Sequence, residues 1–358
     1  MKIKENTNVV FLTNIPAPYR EKLHEELSIS INKYKVLYCN TIEPNRKWKF
    51  ELGNYEKIFL PVISINIFNR FIHFNKNIFK ELNKTNPDVV ITSGFGPSML
   101  LAFLWSKLKN KKHIPFTDAN IHSESKLSFF HKFLRKIIFN YSYTFIGASN
   151  KSIDLYTSYN INKNNCFKSV LFINNHKFNN DIQKKEYDLM FSGQLIDRKM
   201  PMFFIKVVSA VEKKMNKKCK VLILGDGPLK EKVLLQLEKY NIDFEYPGFI
   251  QQDQLPNMYK NSKIFLFPTL KDPWGVVVNE AMAAGLPVIT TPEAGSADEL
   301  ILNNINGYVL TPEINLWSER IVELLNNKEK YEDFSINSKN IIKDYTFKEA
   351  TNGVLNAI

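Results

Sequence analysis

The sequence predicts an α/β protein with two domains, each built on a doubly wound parallel sheet. Apolar runs of strand length alternate with segments whose apolar residues recur at helical spacing, the order expected of a parallel sheet covered by helices. This alternation occurs twice within 358 residues, a length that favours two domains over one. Between the two halves, residues 172–186 are polar and lack helical periodicity, as expected of a linker.

Strand-length runs fill both halves of the chain. The first half has them at residues 8–14, 34–39, 88–94, 113–117 and 143–149. The second half has them at residues 187–193, 220–225, 242–248, 263–268, 287–291 and 307–310, with a clear amphipathic helix at 202–215. We expect a first domain at 1–178, a second at 179–345, and a final helix at 346–358 that packs back toward the first. Ligands of such sheets bind beyond the carboxyl ends of the strands, so the expected site is a cleft between the two domains.

Composition narrows the class of protein. Hydrophobic residues make up 44% and charged residues 23%, which is ordinary for a globular chain. The longest apolar run, residues 99–105, is far shorter than the roughly 20 residues that cross a bilayer, and the first residues do not read as a signal peptide. Cys39, Cys166 and Cys219 form no disulfide or zinc pattern, which fits a reducing compartment. The net charge of +12 favours an anionic partner, although the coding bias of an AT-rich genome would also supply many lysines.

Residues 272–291, DPWGVVVNEAMAAGLPVITT, join a predicted helix start near Trp274 to a buried strand. The free N–H groups of Gly275, Val276 and Val277 would attract phosphate there. Asp272 and Glu280 flank this start, about 10 Å apart along the helix axis, and carboxylates accept hydrogen bonds from paired sugar hydroxyls. Two ordinary roles compete with this interpretation. Asp before Pro is a common helix N-cap, and a helical Glu is commonly solvated, although the small residues after Glu280 indicate close packing.

Residues 272–289 resemble the signature of retaining glycosyltransferases of family GT4, which have the GT-B fold of two facing Rossmann-like domains with a cleft between them. Further landmarks of this family occur in the expected order along the chain, at residues 191–199, 221–228, 246–250, 294–301 and 306–309. Residues 11–20 are similar to the opening strand and loop of many bacterial members. The resemblance is dense in the second half and sparse in the first.

This resemblance implies a nucleotide-sugar site, with Glu280 on the ribose, Asp272 on the transferred sugar and Lys199 on the diphosphate. The implied donor-binding residues are Gly193, Gln194, Arg198, Lys199, Gly225, Phe249, Ile250, Asp272, Trp274, Gly275, Val276, Val277 and Glu280. Asp272, Asp118 and Lys199 are the candidate catalytic residues, and no residue is assigned to a metal. Three residues depart from the family pattern: Gln194 replaces an Arg, Asp272 a Glu and Asp118 a His. Arg198 is close enough in sequence to supply the missing cation.

Loops that follow strands of the first half supply candidate acceptor-side residues, namely Pro18, Tyr19, Arg20, Gly94 and His122. A rigid proline-defined turn explains the first three equally well. Residues 126–139 place Phe130, Phe133 or Leu134, and Ile137 on one helical stripe among basic residues. Two interpretations stay open for this helix: the stripe packs in the core, or it lies on anionic lipid.

The sequence thus leads us to expect a retaining glycosyltransferase that moves a sugar from a UDP- or GDP-sugar to an acceptor hydroxyl. The expected acceptor is a lipid-linked glycan of surface polysaccharide synthesis, and the expected place is the cytoplasm, with peripheral contact at the inner face of a bacterial membrane. We expect neither a cofactor nor an essential metal, because Lys199 and a helix start can meet the diphosphate charge. The alternatives are a GT-B nucleotide-sugar epimerase and a catalytically weak donor-binding partner in a polysaccharide assembly complex. Specific nucleic-acid binding is not expected, since no recognised motif is present.

Overall fold

A computed structural model of the protein describes residues 4–44, 46–67, 70–125, 127–178 and 185–358. The chain divides into two compact units, which we call unit 1 (Met1–Leu171 with Phe347–Ile358) and unit 2 (Phe172–Thr346). Each unit contains a parallel sheet flanked by helices, as the alternating pattern of the sequence predicts.

Unit 1 contains elements that appear along the chain in the following order: β1 (Lys4–Thr13), α1 (Pro18–Ser30), β2 (Ile31–Tyr38), β3 (Lys57–Phe59), β4 (Ile63–Ile67), β5 (Arg70–Phe74), α2 (Ile78–Thr85), β6 (Val89–Ser93), α3 (Pro97–Leu108), β7 (Lys112–Thr117), α4 (Ile121–Glu124), α5 (Phe129–Asn140), β8 (Phe145–Gly147), α6 (Asn150–Thr157) and β9 (Cys166–Lys168). Within the described residues, its parallel sheet has the strand order β3-β2-β1-β6-β7-β8-β9, and β4 and β5 form a separate antiparallel hairpin. The order reverses direction between β1 and β6. The loops that follow these two strands therefore diverge and leave space at the carboxyl edge.

Unit 2 continues with β10 (Tyr187–Ser192), α7 (Pro201–Met215), β11 (Lys220–Leu224), α8 (Lys230–Lys239), β12 (Asp243–Gly248), α9 (Leu255–Lys260), β13 (Ser262–Phe267), α10 (Val276–Ala283), β14 (Val288–Thr290), β15 (Gly307–Val309), α11 (Ile314–Asn326) and α12 (Lys328–Ile342). Its parallel sheet has the order β12-β11-β10-β13-β14-β15. The switch point lies between β10 and β13. Each strand lies within one residue of a run that the sequence predicts, because the inner strands, covered on both faces, are continuously apolar. The exception is the edge strand β12, whose residues alternate between exposed and half-buried.

The last helix, α13 (Phe347–Ala357), belongs to unit 1. Its Gly353 lies directly against backbone, since a Cβ there would be 1.9 Å from the carbonyl oxygen of Lys168. Ser169 Oγ donates to the carbonyl of Ala350 at 2.8 Å, and Thr144 Oγ1 donates to that of Ala357 at 2.6 Å. These contacts join the end of the chain to β8 and β9.

The boundary between the units differs from the one we expected after residue 178. Residues 172–178 belong to unit 2 because Phe178 is buried there, with its ring centroid 5.9 Å from that of Tyr259. The remainder of the predicted linker includes residues 179–184, which lie outside the described residues. Polarity alone predicted a linker, whereas one buried aromatic side chain fixes its first part to unit 2.

The burial of helix α5 distinguishes between the two interpretations of residues 126–139. Lys126 lies outside the described residues. Phe130 is 64% exposed and Phe133 is 50% exposed, so core packing fails for these two residues, whereas Ile137 of the same stripe is half-buried and packs against the cluster around Phe139. The helix is held instead by Ile138 and Phe139, which are buried near its carboxyl end. No helix in the described part of the chain is long and apolar enough to cross a membrane.

Candidate functional site

The candidate site of unit 2 is built at the switch point, where the loops after β10, β11 and β13 meet. Gly225 follows β11 with a φ of 126°, and a Cβ there would lie 1.9 Å from the carbonyl oxygen of Gly193, which follows β10. Only glycine permits this approach of two backbones. The implied pair Gly193 and Gly225 therefore has a structural explanation, which is close contact between neighbouring loops.

Lys199 is a buried cation at this edge of the sheet. It ends a short 3-10 helix, Asp197–Lys199, in the loop after β10, and it is only 7% exposed. Its Nζ lies 2.6 Å from Asp272 Oδ2 and 4.3 Å from the centroid of the Phe267 ring. Burial lowers the pKa of Lys199, and the Asp272 carboxylate opposes that effect. The net direction of the pKa is downward, and the 2.6 Å ion pair with Asp272 is the interaction that favours the charged amine.

Arg198 shares that carboxylate. Its Nη1 lies 2.7 Å from Asp272 Oδ2 and donates to the carbonyl of Lys271, also at 2.7 Å. Burial alone would raise the pKa of Asp272, but Lys199 and Arg198 together hold it below its ordinary value. Two cations on one carboxylate leave one positive charge in excess, so the cluster has room for an anionic ligand.

Asp272 is not the helix N-cap that Asp-Pro suggested. Its Oδ1 accepts a hydrogen bond from the backbone N–H of Trp274 at 3.1 Å, and α10 begins only at Val276. Gly275 is the N-cap and has a φ of 90°, a left-handed conformation, and a Cβ there would lie 2.5 Å from Phe267 Cζ. This glycine delays the helix by two residues relative to the predicted start near Trp274.

The amino end of α10 offers backbone donors beside this cluster. Within the described residues, no carbonyl outside the helix accepts a hydrogen bond from the N–H of Val276 or Val277, as is usual in the first turn. Trp274, in contrast, is buried, and its indole Nε1 donates to Asn279 Oδ1 at 2.8 Å. Its side chain thus supports the loop from inside, which differs from the ligand contact that the resemblance implies.

Glu280 lies one turn further along α10 and is only 7% exposed, so it is not a solvated helix residue. Its Oε2 has no hydrogen-bond partner within the parts of the chain that the structure describes. Burial raises the pKa of Glu280 to about 7, and the neighbouring Tyr259 hydroxyl opposes this rise. A buried carboxyl oxygen without a partner is uncommon and needs an explanation. No motif or spacing pointed to Tyr259, which lies in α9 and is brought beside this acid by the fold.

The other implied donor-binding residues are half-buried positions at the same edge. Gln194 follows β10, and Phe249 and Ile250 follow β12. Among the described residues, no group of three His, Cys, Asp or Glu side chains could hold a metal ion.

The candidate residues of the first half all lie in unit 1. Pro18, Tyr19 and Arg20 form the first turn of α1, and Gly94 follows β6 with a φ of 95° and open space where a side chain would be. Asp118 is exposed directly after β7, and His122 is exposed on α4. Asp118 therefore belongs to unit 1, whereas Lys199 and Asp272 belong to unit 2.

One known protein family matches the sequence of unit 2. Residues 172–341 match the model of the family "Glycosyl transferases group 1". The match covers most of unit 2. The ion pairs at Asp272, the start of α10 and the buried Glu280 all lie within the matched residues.

Solved structures show the same fold over the whole chain. Anabaena HepE in complex with UDP has a TM-score of 0.77 at 13% identity and covers 98% of both chains. Sucrose-phosphate synthase from Thermosynechococcus elongatus has a TM-score of 0.73 at 14% identity, again over 98% of both chains. The predicted GT-B fold class is therefore confirmed.

Curated relatives match shorter parts of the chain. An uncharacterized glycosyltransferase of Methanocaldococcus jannaschii is 29% identical over 171 residues, 43% of each chain. A second from that organism is 25% identical over 254 residues, 69% of each. A Campylobacter jejuni α-1,4-N-acetyl-D-galactosaminyltransferase, named for a PP-undecaprenol acceptor, is 22% identical over 163 residues, 45% of each. The matches thus span less than half the length of the first and third of these relatives.

Proposed function

We propose that this protein is a retaining glycosyltransferase that moves a sugar from a nucleoside diphosphate, UDP or GDP, to an acceptor hydroxyl. The observation that carries the proposal is the buried Lys199, paired with Asp272 beside the amino end of α10 within residues that match the group 1 glycosyltransferase model. An anionic diphosphate fits this place in both charge and hydrogen bonding.

The donor binds by exchanging partners in the Asp272 cluster. Its diphosphate accepts hydrogen bonds from the N–H groups of Val276 and Val277 and pairs with Lys199 and Arg198. Asp272 then accepts hydrogen bonds from hydroxyls of the transferred sugar. Since two cations and a helix start cover the charge of the diphosphate, we propose transfer without a metal ion or a cofactor.

Glu280 is proposed to bind the ribose of the nucleotide. Its buried Oε2 lacks a partner, and a pair of vicinal hydroxyls would satisfy it. Donor binding then relieves the cost of a buried, unpaired acid. The same hydroxyls favour the ionised carboxylate, so donor binding releases a proton near neutral pH.

In the proposed transfer step, the bond between the anomeric carbon and the diphosphate oxygen breaks as the acceptor oxygen bonds to the same face. The proton of the acceptor hydroxyl passes to the departing phosphate oxygen, so charge and atoms balance. Lys199 and Arg198 stabilise the negative charge that develops on the diphosphate. Asp118 is proposed to act on the acceptor side, from its position at the end of β7.

The acceptor is proposed to be a lipid-linked glycan, reached by peripheral contact with a membrane at its cytoplasmic side. Exposed Phe129, Phe130 and Phe133 on α5 support this contact, together with the net charge of +12. The name of the C. jejuni relative includes a polyprenyl diphosphate, which is a property of that protein and sets the first acceptor class to assay.

The test is a panel of UDP- and GDP-sugars screened by thermal shift, followed by acceptor-dependent release of the nucleotide. We expect one donor to stabilise the protein, and Glu280→Gln and Lys199→Met each to lower donor affinity at least tenfold. Lys206→Met removes an exposed cation of α7 in the same domain and serves as the control. Unchanged affinity in both site variants would reject the site, and sugar release without an acceptor would indicate the epimerase. Donor binding without turnover over the panel would indicate the non-catalytic partner.

A further inference from the structure

A second cationic cluster lies in unit 1, where α1 begins after β1. We call Tyr19, Arg20, Arg46, Trp48 and Asp118 the Arg20 cluster. Arg20 is only 8% exposed, and its guanidinium carbon lies 4.5 Å from the centroid of the Phe116 ring. Its buried Nη1 has no hydrogen-bond partner within the residues that the structure describes. A buried guanidinium normally has a carboxylate or several carbonyls around it.

The neighbouring acid does not neutralise Arg20. Glu21 Oε2 accepts hydrogen bonds from the Tyr55 hydroxyl at 2.7 Å and from the Gly53 N–H at 2.9 Å. Among the described residues, no carboxylate forms an ion pair with Arg20 within 4.0 Å. Arg20 therefore has no direct carboxylate partner among the described residues, and its contacts are the Phe116 ring and the Tyr19 hydroxyl.

Further donors face the same place. Burial raises the pKa of the Tyr19 hydroxyl, and the adjacent Arg20 opposes that rise, so the phenol keeps its proton as a donor at neutral pH. The Tyr19 ring meets that of Trp48 edge-on with centroids 6.2 Å apart, and Arg46 lies 4.7 Å over the Trp48 ring. Among the described residues, the acid paired with Arg46 is Glu43, whose Oε2 lies 4.0 Å from Arg46 Nε.

The carboxylate of Asp118 reduces the positive charge of the Arg20 cluster. Its carboxylate acts on Tyr19 in the opposite sense to the two arginines, so the cluster contains two cations and one anion. Glu43, whose Oε2 lies 4.0 Å from Arg46 Nε, supplies a second anion, so the place for a ligand is marked by the unpartnered Nη1 of Arg20 and not by excess charge. A planar guanidinium with a vacant donor suits the two oxygens of a carboxylate or a phosphate, and a phenol donor beside it adds a third hydrogen bond.

We propose that Arg20 and Tyr19 bind an anionic oxygen group of the acceptor, a phosphate or a carboxylate, so that the acceptor carries a negative charge near the hydroxyl that receives the sugar. The identification of the ligand as an acceptor rests on the proposed function. Anion binding at Arg20 does not depend on it. An anion here would satisfy the buried Nη1, whose lack of a hydrogen-bond partner otherwise destabilises the unliganded protein.

Trp48 provides a local signal for the test. The full chain is titrated with inorganic phosphate and, separately, with glucuronate, and the Trp48-dependent part of the fluorescence is defined as the signal that Trp48→Phe removes. Since Trp274 of unit 2 is present in both proteins, phosphate bound near Lys199 does not contribute to this difference. We expect saturable binding of at least one probe. Tighter binding of phosphate would indicate a phosphorylated acceptor, and tighter binding of glucuronate an acidic sugar.

Arg20→Gln is expected to weaken this binding at least tenfold. Arg20→Lys keeps the charge and loses the planar fork, so it should weaken binding by less, and it tests the site even if Arg20→Gln does not fold. Lys22→Gln is the matched control, because it removes one cation from the same helix at an exposed position. Equal affinity in the parent, Arg20→Gln and Arg20→Lys would overturn the inference, as would the absence of any Trp48 signal with both probes.

The donor assay separates failure of this inference from failure of the proposed function. If nucleotide sugars bind through Glu280 while Arg20→Gln leaves anion binding unchanged, only the acceptor inference fails. If no nucleotide sugar binds but Arg20 still controls phosphate binding, the anion site remains and the transferase proposal fails.

Discussion

At the scale of single residues, Lys199 and Glu280 are buried charged side chains of the proposed donor site, and they differ in whether a partner is present. Lys199 has an anionic partner at 2.6 Å, whereas Glu280 Oε2 has none. Removing a charge from water without a partner costs free energy, so the unliganded protein is less stable than it could be with a neutral residue at Glu280. Such a cost is common at sites where a ligand completes the hydrogen bonding.

Glu280→Gln should stabilise the unliganded protein in a pH-dependent way. The pKa of Glu280 is about 7 in the folded state against 4.5 ordinarily, so the folded state binds more protons between these values and stability falls as pH rises through that range. The glutamine variant lacks this loss. We expect its gain in unfolding free energy to be on the order of 3 kcal/mol at pH 8 and much smaller at pH 5. Urea unfolding at both pH values measures the gain, and equal gains would contradict the buried-acid assignment.

Asp272→Asn should destabilise unit 2, because it leaves the buried Lys199 and the adjacent Arg198 without their shared carboxylate. Breaking a buried pair by removing one partner costs about 3–5 kcal/mol. Asp272→Glu keeps the charge and serves as the control, with a smaller expected loss. Thermal unfolding with and without UDP and GDP measures the effect. The preferred nucleotide should recover part of the loss, and full stability of Asp272→Asn would show that the ion pairs contribute little.

At the scale of elements, the amino ends of helices α10 and α5 differ: α10 presents backbone donors there, and α5 presents exposed aromatic side chains. Helix α10 begins at Val276 after a left-handed glycine N-cap, and the N–H groups of Val276 and Val277 have no carbonyl acceptor among the described residues. Helix α5 is held mainly at its carboxyl end, while Phe129 is 85% exposed at its start. Large aromatic side chains in water are unfavourable, and three of them with Lys132 and Lys136 on the same helix fit an anionic surface.

Replacing Phe129, Phe130 and Phe133 by Ser together should weaken binding to phosphatidylglycerol vesicles at least tenfold without loss of folding, because all three side chains are exposed. Leu108→Ser is the control, since Leu108 is 74% exposed on α3 of the same unit. Vesicle co-sedimentation measures binding, and vesicles of phosphatidylcholine alone should bind less. Equal binding by the parent and the triple variant would exclude α5 as the contact.

At the scale of the whole molecule, two sheets with the same kind of switch point make one chain, and the last helix returns to the first sheet. The contacts of α13 with β8 and β9 close unit 1 with residues from both ends of the sequence. The stability of unit 1 therefore depends on residues that follow unit 2 in the chain.

Gly353→Ala should destabilise unit 1 selectively. A Cβ at Gly353 would lie 1.9 Å from a backbone oxygen, so α13 must shift, at a cost of about 1–3 kcal/mol for overpacking. Hydrogen exchange should speed up in β8 and β9, with little change in β10 and β13. Asn356→Ala, at an exposed position of the same helix, is the control. Equal loss of protection in both units would show that they unfold together.

The sequence by itself determined where most of the strands lie, the alternation that makes two doubly wound sheets, and the segment that carries Asp272 and Glu280, because these depend on periodicity and on residues close together in the chain. It missed β3, β9 and the hairpin of β4 and β5, which are short or belong to no parallel crossover. Only the tertiary structure decided that Arg198 pairs with Asp272 across 74 residues, that Glu280 lies buried against Tyr259, and that Phe129, Phe130 and Phe133 of α5 face water. The physical reason is that burial and charge pairing depend on contacts between residues far apart in the sequence, and local sequence patterns do not specify those contacts.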